Sequence, residues 1–174
     1  MRVRTVLAAV GMAALLAVPV ATANESDQAV VAAAKGNVEW TIALPNPFGV
    51  EVGNDLKFNA RKHADGSASG KIHYIQTVEG ESFEFRIDVT CLEFYDGNRA
   101  KLGGVITWSN DATVPAGRYG WFQAFDNGTG KDDPPDRSSL LGFGDETANE
   151  AFCNSPNLPR FGPWDVEGDI KIRP

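Results

Sequence analysis

Five side chains with oxygen donors, Asp126, Asn127, Asp132, Asp133 and Asp136, crowd one segment that reads DNGTGKDDPPD. Calcium takes roughly six to eight oxygens from carboxylates, amides and backbone carbonyls at about 2.3–2.6 Å. Gly128 and Gly130 allow the tight curvature that turns carbonyls inward. The spacing is not that of an EF-hand, since no glycine precedes a closing glutamate and Lys131 puts a positive charge inside the loop. The segment is therefore read as a candidate calcium loop, with a plain solvated connector as its alternative, because Asp, Asn, Gly and Pro are also the ordinary residues of a turn.

Other chemistry is sparse. His63 and His73 are the two histidines, and no HExxH, GxSxG or phosphate-binding glycine motif accompanies them. Glu84 and Asp88 are candidates for a carboxylate pair with neighbouring strands. Glycoside hydrolysis needs two carboxylates about 5–10 Å apart, whereas Glu84, Arg86 and Asp88 in alternation fit cross-strand charge pairing as well. Trp40, Trp108 and Trp121 fall on apolar alternating positions and are expected in the core. Trp164, in FGPWD, is set by no strand pattern and is the candidate ligand-binding aromatic. Cys91 and Cys153 are the only cysteines, so a single intramolecular disulfide is expected. Closing a loop of about 60 residues stabilises a fold by on the order of 4 kcal/mol.

The elements that would hold these groups are strands. In Phe83–Ser109 the residues Phe83, Phe85, Ile87, Val89 and Cys91 alternate with Glu84, Arg86, Asp88 and Thr90, the period of a half-buried strand. Asp96-Gly97-Asn98 suits a tight turn. Ala100, Leu102, Ile106 and Trp108 then alternate again, with Gly103 and Gly104 marking a bulge or a close approach. Similar runs are expected over Val38–Leu44, Asp55–Lys62, Lys71–Val78 and Arg118–Asp126, with shorter ones near Leu141 and Phe143 and a last edge strand at Ile170 and Ile172. Glu146–Ala151 has room for one helical turn. About seven or eight strands with no core helix predict an all-β fold, an antiparallel β-sandwich or short β-barrel.

The chain has 174 residues. Arg2 and Arg4, the apolar run Val6–Val20 and Ala21-Thr22-Ala23 read as a signal peptide over 1–23, cleaved after Ala23. A polar, alanine-rich segment over 24–36 is expected to be a flexible tail or a short helix, followed by a single β domain over 37–174. Removing the leader takes away two arginines and no acids, moving the net charge from −7 to −9. That sign argues against nucleic acid, which selects basic proteins, and no second apolar run is present for membrane insertion once the signal is gone. The expected location is extracellular, after secretion.

The stretches FNARKHADGSASGKIHYIQ, IDVTCLEFYDGNRAKLGG and FQAFDNGTG…PPDRSSL resemble a family of small secreted β-domains common in actinobacteria and found at the ends of some multidomain extracellular proteins. The resemblance rests on Asp88 and Cys91, on Gly97-Asn98-Arg99-Ala100, on Asp126-Asn127-Gly128-Thr129-Gly130 and on Asp136-Arg137, and spans roughly Phe58–Asn154. It implies an extracellular all-β fold and no activity. Without a catalytic constellation, the expected function is a secreted, non-catalytic binding or structural module for an extracellular glycan or protein. The alternative is an extracellular glycan-acting hydrolase.

Overall fold

The computed structural model describes residues 29–44, 49–130, 132–156 and 162–174. The expected signal peptide, residues 24–28 of the expected tail, and Lys131 lie outside them. In chain order the elements are β1 (Val30–Ala43), β2 (Glu51–His63), β3 (Ala68–Val78), β4 (Glu81–Tyr95), β5 (Arg99–Ser109), β6 (Tyr119–Phe125), β7 (Arg137–Ser138), β8 (Gly142–Gly144), α1 (Glu146–Asn154), β9 (Trp164–Asp165) and β10 (Glu167–Arg173). The strands form one antiparallel sheet in the order β10-β1-β2-β3-β4-β5-β6-β7-β9, with β8 continuing along β6. The sheet curls until its ends nearly meet, so the all-β expectation holds in its barrel form.

Alternation fills the barrel. Val38, Trp40 and Ile42 of β1, Leu56 and Phe58 of β2, Ile72 and Tyr74 of β3, Phe85 and Ile87 of β4, Leu102 and Ile106 of β5, Phe122 of β6 and Ile170 of β10 all point inward and are buried. Phe58 and Phe122, four strands apart, meet edge to face with ring centroids 5.2 Å apart.

The chain enters the sheet earlier than expected. Residues 30–36, anticipated as tail or short helix, belong to β1, where Ala32 and Ala34 face inward. Small side chains are needed there. A Cβ on Gly36 would stand 2.4 Å from the Phe58 ring. Alternation written in alanine and glycine carries little hydrophobic contrast, which is why the strand is invisible in the sequence. β2 likewise begins at Glu51, four residues before the expected start at Asp55.

Helix α1 is longer than the single turn expected. Asp145 caps it, its carboxylate accepting the Ala148 N–H at 2.9 Å. Isolated helices of this length are marginal, and this one is held by tertiary contacts of Asn149 and Cys153, one turn apart and both buried.

The barrel is closed by carboxylates. The Val166 N–H donates to the Asp136 carbonyl at 2.9 Å. The Ile170 N–H donates to Asp136 Oδ2 at 2.7 Å and the Ile172 N–H to Asp126 Oδ2 at 2.9 Å. These side chains replace the carbonyls that a neighbouring strand would supply and blunt an edge otherwise open to pairing. Asp136 is 6% exposed, and burial holds its carboxyl above the usual carboxylate range despite the N–H bonds from Asn127 and Ile170. Asp136→Ala leaves both of those N–H groups without an acceptor. At about 1–3 kcal/mol for each buried unmade bond, a loss of about 2–6 kcal/mol is expected. Urea unfolding measures it, and a midpoint equal to wild type would refute the role of this seam.

Candidate functional site

The segment proposed for calcium is built into this seam. Asp126 Oδ1 accepts the Gly128 N–H at 3.0 Å, and Asp136 Oδ1 accepts the Asn127 N–H at 2.8 Å. Asp133 Oδ2 accepts the Gly130 N–H at 2.6 Å, and Asn127 Nδ2 donates to the Pro135 carbonyl at 2.6 Å. Asp132 is exposed. A cation in the segment would share these carboxylate oxygens with the N–H groups they already accept. Among the described residues, no group of three or more His, Cys, Asp or Glu side chains is gathered to hold a metal ion.

The second region is the outer face of β3–β5, and a bulge shapes it. Arg86 stands opposite Trp108 and Ile87 opposite Ile106, which leaves Thr107 unpaired. One extra residue reverses every later side chain. Trp108, expected in the core, is therefore turned outward and 41% exposed. The Arg86 guanidinium lies 4.9 Å from the centre of its ring. Arg86 also pairs with Glu84 at 3.0 Å, and His73 Nε2 meets the same carboxylate oxygen at 2.9 Å. Arg86 first, and His73 after it, hold the Glu84 carboxyl below the usual range. Lys71 and Asp88 pair across strands at 2.6 Å. Glu84 and Asp88 thus pair across strands, with His73 and Lys71, whereas Arg86 pairs with Glu84 along β4 itself.

A third region lies between α1 and the outer face of β4–β6. A second bulge leaves Thr90 unpaired between Val89, opposite Gly104, and Cys91, opposite Gly103. Cys91 is thereby moved off the apolar face, where alternation had placed it, and Leu92 takes the core position. Cys91 joins Cys153 in the expected disulfide, now a strap from the barrel wall to α1. Trp121, also expected inside, is half-buried on this outer face and stacks on Phe152 at 6.0 Å.

Two cations missed in the sequence reading are buried here. Lys101 is 1% exposed, and its ammonium donates to the carbonyls of Phe152 at 3.1 Å and Ser155 at 2.5 Å. α1 has no basic residue in its last turn, so Lys101 brings the positive charge that a helix C-terminus favours. Burial, and to a lesser degree Arg99, hold its ammonium below the usual lysine range. Arg99 pairs with Asp96 at 3.1 Å, donates to the Pro156 carbonyl at 3.2 Å and lies 5.1 Å from the centre of the Tyr95 ring. Arg99 and Lys101 alternate with Ala100 and Leu102 as surface residues do, so no local signal marks them.

The remaining residues of interest lie apart from one another. Trp164 is half-buried and packs against the edge of the core, with its ring folded over Gly162. His63 Nε2 is 2.7 Å from Ser69 Oγ. Trp40 is in the core, beside Tyr74. The one carboxyl held above its usual range is Asp136, among the described residues, and both its oxygens accept backbone N–H groups. On the outer face of β3–β5 an exposed indole lies beside a set of charged groups.

No protein-family model matches the chain, and no curated protein or solved structure matches it either.

Proposed function

We propose that this chain is a secreted, non-catalytic binding module whose ligand is an extracellular glycan held on the outer face of β2–β5. The observation that carries this reading is Trp108, a large aromatic side chain that the Thr107 bulge turns out of the core and into solvent. Bulges commonly re-aim a side chain at a site. Arg86 stacks on the indole and fixes its orientation. His73 and Lys57 continue the line, each directly opposite its neighbour on the next strand. With strands about 4.8 Å apart, the four side chains span about 14 Å, a length suited to a short run of sugar rings stacked on Trp108 and hydrogen-bonded by Arg86, His73 and Lys57.

The test is a glycan array with the purified protein, followed by titration of whatever is retained. Trp108→Ala is expected to weaken binding at least tenfold, with a melting point close to wild type because the residue lies outside the core. No retained glycan, or equal binding by wild type and Trp108→Ala, would overturn the proposal. Turnover of a retained glycan would favour the hydrolase instead.

A further inference from the structure

The register of β10, β1 and β2 lines their outward side chains into charged rows. Glu167, Glu39 and Asp55 stand directly opposite one another, and Asp165 joins them around a groove of about 630 Å³. Four residues along the same strands, Lys171 is opposite Lys35, and one row further Arg173 and Arg61 flank Ala33. Like charges directly opposite on neighbouring strands destabilise a sheet. This face carries that arrangement twice, with opposite signs.

Partners within the chain neutralise only part of it. Asp55 has Lys57 at 3.5 Å, Asp165 has Arg137 at 3.6 Å and Lys171 has Asp169 at 2.9 Å. Among the described residues no ion pair reaches Glu39, Glu167, Lys35, Arg61 or Arg173. A cation on the acidic row or a polyanion on the basic row would satisfy one row and leave the other.

We propose that this face binds a second copy of the chain, laid antiparallel so that the acidic row of each copy covers the basic row of the other. At about 3.4 Å per residue, Glu39 and Lys35 are about 14 Å apart along β1. A two-fold axis crossing the strands at Asn37, midway between them, sets Glu39 over Lys35 of the second copy and Glu167 over Lys171 of the second copy. Every contact off the axis then occurs twice, as an isologous interface requires, while Asn37 and its register partners Asp169 and Lys57 lie on the axis and face their own copies. Between the rows the face is recessed, with grooves of about 410 and 480 Å³ whose walls share Asn37 and Gly168. A patch three strands wide is smaller than a standard stable interface, so the association is weak, reversible and screened by salt. Lys57, opposite Asn37, lies within the patch, so pairing would cover that end of the proposed sugar-binding line, while Trp108, Arg86 and His73 lie outside it and the pair would display two copies of them.

Sedimentation velocity over a concentration series tests this at low and at high sodium chloride. Wild type is expected to associate at low salt and to be monomeric at high salt. Glu39→Lys and Lys35→Glu are each expected to weaken association at least tenfold. Each also relieves repulsion within one copy, so melting points hold or rise, which a misfolded variant would not show. The double variant, Glu39→Lys with Lys35→Glu, exchanges the two charges in both copies, so opposite signs face each other again and association returns. A monomer at every concentration in low salt, an association indifferent to salt or to the single reversals, or a double variant no better than either single would each overturn the proposal.

Discussion

Gly104→Ala is expected to destabilise this protein strongly. A Cβ at Gly104 would lie 1.9 Å from the Asp88 carbonyl oxygen, 2.8 Å from the Asp88 carbonyl carbon and 2.9 Å from Val89 Cα. All three are backbone atoms of β4, so no side-chain rotation makes room. The strands must part at the point where Gly104 faces Val89, next to the Thr90 bulge. Overpacking costs about 1–3 kcal/mol and occasionally more, and a clash with backbone on all sides puts this variant at the upper end. Gly103→Ala is the internal comparison. Its Cβ would meet Asn149 Oδ1 at 2.1 Å and Trp121 Cβ at 3.1 Å. Asn149 belongs to α1, which can shift, so a smaller loss concentrated in α1 is expected. Urea unfolding of both variants gives the order. Equal stability of Gly104→Ala and wild type would show that the β4–β5 wall yields where the geometry says it is rigid.

Replacing the disulfide, as Cys91→Ala with Cys153→Ala, is expected to cost about 2–5 kcal/mol. The bridge closes a separation of 62 residues, so in the chain-entropy account much of its effect lies in restricting the unfolded chain. Its local effect is to hold α1 against the barrel beside the Tyr95 hydroxyl, which donates to the Cys153 carbonyl, and the Lys101 ammonium. Without it, hydrogen exchange should rise first in α1, while amides of β1–β3, which α1 does not cover, keep their protection until global unfolding. Trp121 should gain exposure as Phe152 moves away, and its fluorescence should shift to the red. Uniform loss of protection across all strands, with α1 no faster than β2, would mean that the strap and the barrel unfold as one unit.

Much of this architecture is legible in the sequence. The alternation of Val38, Trp40 and Ile42, of Leu56 and Phe58, and of Ile72 and Tyr74 sets which face of each strand is buried, because successive side chains of a strand point to opposite sides. Two cysteines allow one intramolecular bridge. Asp96-Gly97-Asn98 is the expected turn, with Asp96 and Gly97 both at positive φ.

What the tertiary structure alone decided is which residues stand outside that alternation. Thr90 and Thr107 are ordinary strand residues, and each is a bulge only because the partner strand has no residue to set against it. Those two insertions put Cys91 and Trp108 on faces opposite to the ones their neighbours predict. The burial of Arg99 and Lys101 depends on α1, which reaches them only through folding. The acidity of the segment from Asp126 to Asp136 was plain from composition, but its use was not. Asp126 and Asp136 meet the N–H groups of Ile172 and Ile170 only when the last strand returns to the far edge of the sheet, a contact between residues 46 and 34 positions apart that no local pattern encodes.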